Sequence, residues 1–195
     1  MASVAANALT IALKTLAGAD PSAGDPVLIT VPNLTGGYSL RTITAALSIT
    51  VPSTATLATV SAQAACLWVG YTNNAGTDVL AIWNSLSGSA GSYTLTPWRE
   101  EENVTGTAIT TGSNSAATWY SSSAFSNLPI TVLGKVEVTE TTAGTWATAP
   151  SKVALFRDGM KKPGDEVQKI TNYSSANPAV TSTTFVCLLY TSPSP

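Results

Sequence analysis

The feature that most constrains this fold is a series of short alternating apolar runs separated by turn residues, with no comparable helical periodicity. "ALTIALK" sets Leu9, Ile11 and Leu13 on one face of an extended chain. "PVLITVP" is of strand length and bounded by Pro26 and Pro32. "RTITAALSITVP" alternates Ile43, Ala45, Leu47, Ile49 and Val51, long enough to read as one strand. "ACLWVGY" and "VLAIWN" flank "TNNAGTD", whose Asn pair and Gly76 read as a hairpin loop. "LPITVLGKVEVTE" alternates Ile130, Val132, Gly134, Val136 and Val138, and "KVALF" and "EVQKITNY" follow. A short helix at Ala2 to Ala6 is the one helical candidate. Ser85 to Ser92 reads as a flexible loop, and the low-complexity Thr105 to Ser115 as loop or edge strand. The pattern predicts a mostly-β domain with few or no helices, an antiparallel β-sandwich or jelly roll.

Charge narrows the class further. Only 10% of residues are charged, against roughly 25% in typical soluble proteins. The polar surface must therefore come from Thr, Ser and Asn, a composition common in extracellular and virion β proteins; Thr suits a pleated, half-buried surface. Nine basic residues are scattered and the net charge is −2, so no basic face can neutralise a run of phosphates, and no nucleic-acid partner is expected. No window of about 18 apolar residues predicts membrane insertion. The N-terminus "MASVAANALTIALKTLAGA" lacks a positive n-region and is interrupted by Thr10 and Lys14, so no signal peptide is expected.

The catalytic inventory is thin. The chain has no histidine, which removes Ser-His-Asp and Cys-His arrangements and His-ligated zinc. Cys66 and Cys187 cannot build a Cys₄ site, and no Walker loop or strand-linked GxGxxG occurs. Cys66, within "ACLWVGY", reads as a small buried hydrophobe. Glu100, Glu101 and Glu102 are the densest carboxylates; neighbours on an extended chain face opposite ways, and they read as a solvated loop rather than a hydrolytic pair or calcium site. Trp68, Trp83 and Trp146 read as core. Trp98, Trp119 and Tyr120 sit in polar surroundings, where subunit contact, loop anchoring and glycan stacking all stay open. "GMKKPGDEVQK" reads as a charged connector, with Asp165 and Glu166 offsetting its lysines. No catalytic, cofactor or metal residues are assigned, and no cofactor is expected.

"NALTIALKTLAGADPSAGDPVLITVPN", "LSITVPSTATLATVSA", "CLWVGYTNNAGTDVLAIWNSLS" and "LPITVLGKVEVTETTAGTWATAPSKVALF" resemble, in that order, a family of tailed-bacteriophage virion proteins. "VTETTAGTWATAPSKVAL" is the most specific part and "NNAGTDVLAI" the second marker, and the resemblance spans Asn7 to about Gln168. The chain departs from the family at "TGTAITTGSNSAATW", where relatives carry a Glu-Gly-Gly-Ala-Gly type loop. The resemblance implies a non-enzymatic structural protein of a tail fibre or host-attachment appendage. It implies a homo-oligomer, often trimeric, among other virion subunits, with host-surface glycan as a partner. Such a protein is made in the bacterial cytoplasm and located in the virion. The alternatives are capsid decoration and a capsular-polysaccharide depolymerase. The latter would draw on Glu100 to Glu102, Glu137 with Glu140, or Asp165 with Glu166 as its carboxylates.

The ending "CLLYTSPSP" is what a translated transposase mosaic end and library adapter would encode. Residues 187–195 are accordingly expected to be adapter-derived, as in a metagenomic assembly, with native sequence stopping at or just before Val186. Residues 1–165 are expected to form the β-sandwich domain, and 166–186 a connector or the start of a truncated second β region.

Overall fold

A computed structural model describes residues 1–33, 35–85 and 100–156, with backbone alone at 100–102. The chain divides into two compact units, Met1–Asp165 and Glu166–Pro195, and every described residue lies in the first. The described residues are mostly β. Eleven strands run in chain order: β1 Ala2–Ala5, β2 Ala8–Leu13, β3 Val27–Pro32, β4 Tyr38–Ile43, β5 Leu47–Val51 and β6 Ala64–Asn74, then β7 Thr77–Asn84, β8 Glu100–Ala108, β9 Trp119–Ser121, β10 Phe125–Thr139 and β11 Lys152–Leu155.

They form three sheets: β1-β2-β5, the two-stranded ribbon β3-β4, and a six-stranded sheet ordered β11-β10-β6-β7-β9-β8. In the last, β8 also pairs with β10, so β10, β6, β7, β9 and β8 close into a five-strand ring with β11 on its outside. Closure removes the sheet edges that would otherwise invite pairing with another chain. Two devices allow it. The fifteen-residue β10 carries register shifts near Leu128 and between Val132 and Gly134, and such bulges bend and twist a strand. And β8 runs parallel to β9, with Gly106, Thr107 and Ala108 opposite Trp119, Tyr120 and Ser121. A wholly antiparallel domain was expected from the sequence. The parallel pair arises because residues 109–118 cross over between β8 and β9, which no two-residue turn could do.

Local sequence explains the hairpins. β6 and β7 extend into "TNNAGTD" until only Ala75 and Gly76 form the turn, both left-handed, at φ 49° and 94°. That is the primed turn whose twist matches its strands. Asn73 Oδ1 accepts the Gly76 amide at 3.0 Å. β1 and β2 meet at Ala6 and Asn7, likewise left-handed, so Ala2 to Ala6 begins as a strand and not as a helix. The alternation from Ile43 to Val51 belongs to two strands in two sheets, broken at Thr44–Ala46. Ile43 and Ile49 point into the same core on either side of the break, so the pattern survives the change of sheet.

Two cores result. The larger lies between the sheets: Leu9, Ile11, Ile49 and Val51 from the first sheet, Ile29, Val31 and Ile43 from the ribbon, and Leu67, Tyr71, Leu80, Ile82, Val136 and Val138 from the ring. The smaller draws Cys66, Trp68, Ala81, Trp83, Val104, Trp119, Phe125, Ile130 and Val132 from all five ring strands. The bulge at Leu133 swaps faces along β10, so Ile130 and Val132 serve one core while Val136 and Val138 serve the other.

Candidate functional site

The aromatic residues divide differently from the sequence reading. Trp68, Trp83 and Trp146 are buried, as expected. Trp119 and Tyr120 are buried as well, on β9, each 6% exposed. Trp119 stacks on Trp83 with ring centroids 5.8 Å apart, and the Tyr120 hydroxyl accepts the Ser115 amide at 3.2 Å. Neither offers a face to a glycan. Three residues are too few for alternation to show, which is why a strand amid Ser-rich sequence looked like loop. Trp98 lies outside the described residues.

The candidate carboxylates among the described residues occupy β8, β10 and the turn after β10. Glu100, Glu101 and Glu102 open β8, with Glu100 opposite Thr131 and Glu101 opposite Ile130, and are not a loop. The same strand carries Thr105 to Ala108 into the ring, paired on both sides. Glu137 bonds Lys135 at 2.6 Å, and that ammonium holds its carboxyl below the usual range. Glu140 is 3% exposed; its Oε2 accepts the Gly144 amide at 2.6 Å while Oε1 has no partner in bonding geometry. Burial pushes its carboxyl up, opposed by the nearby Thr59 hydroxyl and the Gly144 and Thr145 amides. Thr59 also donates to the Thr56 carbonyl at 2.7 Å.

Glu140 thus fastens the 142–146 turn, and Trp146 completes the fastening. Its indole N–H donates to the Ala55 carbonyl at 2.9 Å, and the Thr54 amide donates to Gly144 O at 2.8 Å. The most specific stretch of "VTETTAGTWATAP" is therefore a structural clasp. Glu137 and Glu140 bond different partners, Lys135 and the Gly144 amide. Asp165, Glu166 and the "GMKKPGDEVQK" lysines lie outside the described residues, as does Cys187. Cys66 is buried, and burial raises its thiol to about 11. Among the described residues no group of three or more His, Cys, Asp or Glu could hold a metal ion, and no helix is long and apolar enough to cross a membrane.

One polar cluster escaped sequence reading. Asp78 Oδ1 accepts the Tyr71 hydroxyl at 2.6 Å and the Asn73 amide at 3.0 Å, and lies 3.7 Å from Arg41. Burial, then the Asp78 bond, pushes the Tyr71 hydroxyl up to about 12. The cluster ties the ribbon to the ring.

One open surface is apolar. A groove of about 490 Å³ runs between β2, β3, β10 and β11, with Ile11, Leu13, Leu28, Leu133, Val153 and Leu155 among its walls. Leu28, Val153 and Leu155 stay 57%, 50% and 45% exposed. Beside it, the outer face of the ribbon presents Tyr38 and Leu40, each 63% exposed. The sequence signal was available: "VLITV" is apolar at nearly every position, the pattern of a strand covered on both faces. No protein-family model, curated protein or solved structure matches the chain.

Proposed function

We propose that this chain is a non-enzymatic virion structural protein of a tailed phage, part of a tail fibre or host-attachment appendage, working as a homo-oligomer. In the same reading the domain is a sandwich variant, with the β1-β2-β5 sheet and the ribbon laid over the ring. The observation that carries it is the contrast between engaged carboxylates and an open apolar surface. Glu137 is neutralised by Lys135, Glu140 clasps a turn, and large apolar side chains such as Leu28, Tyr38, Leu40, Val153 and Leu155 stand exposed. A surface of that kind suits subunit contact rather than proton transfer. The family resemblance supplies the virion, the trimer as the expected count, and host-surface glycan as an outside partner.

Labelled antibody on whole virions, viewed by negative-stain microscopy, tests the location. Label on the tail or its appendages is expected; label on the head would favour capsid decoration. Release of reducing ends from host capsule by the purified protein would replace the structural reading with a depolymerase.

A further inference from the structure

Glu140 is a buried carboxylate in a neighbourhood without charge. The two segments that enclose it, residues 54–65 and 141–151, contain no Asp, Glu, Lys or Arg. The β1–β2 turn at 6–7 and the crossover 109–118, which bond to these segments, bring none either. On β10, Glu137 and Lys135 lie on the opposite face and bond each other, and on β6 Cys66 faces the smaller core. The Gly144 amide reaches Glu140 Oε2 at 2.6 Å, while Oε1 is buried without a partner. A second oxygen beside it is in the same condition. Val138 pairs with Ala65 and Thr139 with Ala64, so the next position of the ladder sets Glu140 beside Gln63. The Ala62 amide donates to the Glu140 carbonyl at 2.7 Å and holds the two segments together there. Val138 and Ala65 both face the larger core, and side chains two residues on share that face. Gln63 Oε1 is likewise buried with no partner. Two acceptor oxygens without a donor thus end one ladder on one face.

From this pairing we infer that Glu140 is a carboxylic acid in the folded protein and that its Oε1–H donates to Gln63 Oε1. One proton satisfies both oxygens, each of which otherwise bears the cost of a buried, unmatched acceptor. A metal ion is the weaker solution. Calcium takes about six to eight oxygens, and the enclosing segments add no second carboxylate. The proton makes the turn a pH-sensitive latch. Glu140 fastens the 142–146 turn, from which Trp146 reaches Ala55 through its indole and Asn7 through its backbone amide. The Thr54 amide bonds Gly144 O in return. Three connections, before β2, before β6 and after β10, therefore depend on one acid group. Losing the proton leaves a charge with no cation near it and two oxygens facing each other. Burial outweighs the amide bonds that favour the ionised form, so the folded carboxyl sits above its ordinary 4.5. The latch is complete below 4.5 and weakens as pH rises through that higher folded value.

The experiment is an NMR titration of the full chain, labelled with ¹³C at the glutamate carboxyls and ¹⁵N at the tryptophan indoles. Glu140→Gln and Trp146→Phe identify the two signals by deleting them. In wild type the Glu140 carboxyl should titrate above 4.5. Protection of the Trp146 indole N–H, corrected for the intrinsic exchange rate, should fall about tenfold once that carboxyl has ionised. Glu140→Gln offers Gln63 an amide N–H in place of the acid and should keep that protection across the range. Gln63→Met keeps the length of the side chain and removes its amide. It should lower the Glu140 midpoint by about half a pH unit or more, since the acid loses its acceptor and the ionised form loses a facing oxygen. A midpoint unchanged or raised in Gln63→Met would overturn the shared proton, a rise meaning that the amide N–H of Gln63 donates to a carboxylate. A wild-type midpoint at or below 4.5 would overturn it without any variant. So would a midpoint that drops on adding calcium, which would put a cation between the two oxygens.

Discussion

The two cores solve the packing problem in opposite ways. Between the sheets, aliphatic side chains from three sheets interdigitate, and one side opens into the groove that reaches Val69 and Leu80. Inside the ring, Trp68, Trp83, Trp119 and Phe125 fill a closed space, and glycines make room for them. A Cβ on Gly106 would stand 2.2 Å from Phe125 Cε1, and one on Gly70 would stand 2.6 Å from Ile130 Cδ1. A closed ring fixes the volume available, whereas stacked sheets can shift apart. The ring core should therefore punish any change of volume, and the inter-sheet core should absorb small ones.

The largest effect should follow Trp119→Ala. It removes a buried indole, its stack on Trp83 and the largest side chain of a three-residue strand. A loss of about 4 kcal/mol is expected from such truncations. Ile49→Val in the inter-sheet core, a loss of one methylene, should cost about 1 kcal/mol. Urea titrations of both variants measure the difference; equal midpoints would end the contrast between the cores.

Next comes Gly106→Ala, which adds rather than removes. Overpacking costs about 2 kcal/mol where the surroundings cannot yield. The atom in the way belongs to Phe125, so Phe125→Leu should relieve the clash, and the double variant should be more stable than the sum of its parts. Additive costs in that cycle would show that Gly106 serves the backbone and not the ring.

These two tests bear on what the sequence could reveal. Strand-length alternation exposed most of the inter-sheet core, because Leu9, Ile11, Ile49, Val136 and Val138 recur at every second position. It did not expose the ring. Trp119 sits in a strand too short to alternate, and Glu100 to Ala108 reads as charge followed by low complexity. The closing pairs of β8, with β9 and β10, join residues distant along the chain. The change of sheet after Ile43 was hidden because the alternation crosses it intact. Of the candidate site, the buried tryptophans were legible from their apolar runs. That β3 is apolar on both faces was legible in its sequence, but which face stays open was not, since nothing in a strand's own sequence says which of its two apolar faces will be covered.

Buried ionisable groups act at opposite ends of the pH scale. Glu140, at the margin of the inter-sheet core, has its carboxyl raised above the usual 4.5 by burial. The folded state therefore holds that proton more tightly than the unfolded state. Its contribution is complete below 4.5 and is lost as pH rises through the folded value, at no more than about 1.4 kcal/mol per pH unit. Glu140→Gln should flatten this loss. In the ring, Cys66 is raised from 9.0 to about 11, which makes a second loss begin near pH 9. Tyr71, raised from 10.0 to about 12, adds to it only at higher pH. Cys66→Ala should remove the slope between pH 9 and 10 and leave the acidic window untouched. If Glu140→Gln keeps the acidic slope, the clasp carboxyl is not its source.

The smallest expected effect is the sharpest test of the comparison. Val27 is half-buried at the groove, on β3, and Val27→Ile adds one methylene without changing the branching that suits a strand. A fully buried methylene is worth about 0.8 kcal/mol, and a half-open groove should return about half of that as added stability. The substitution thus adds to one core the size of group that Gly106→Ala adds to the other, with the opposite sign. Thermal melts of the two variants should move in opposite directions, by about 1 °C upward for Val27→Ile and several degrees downward for Gly106→Ala. A destabilised Val27→Ile would mean that the groove wall cannot yield, and that the inter-sheet core is packed as rigidly as the ring.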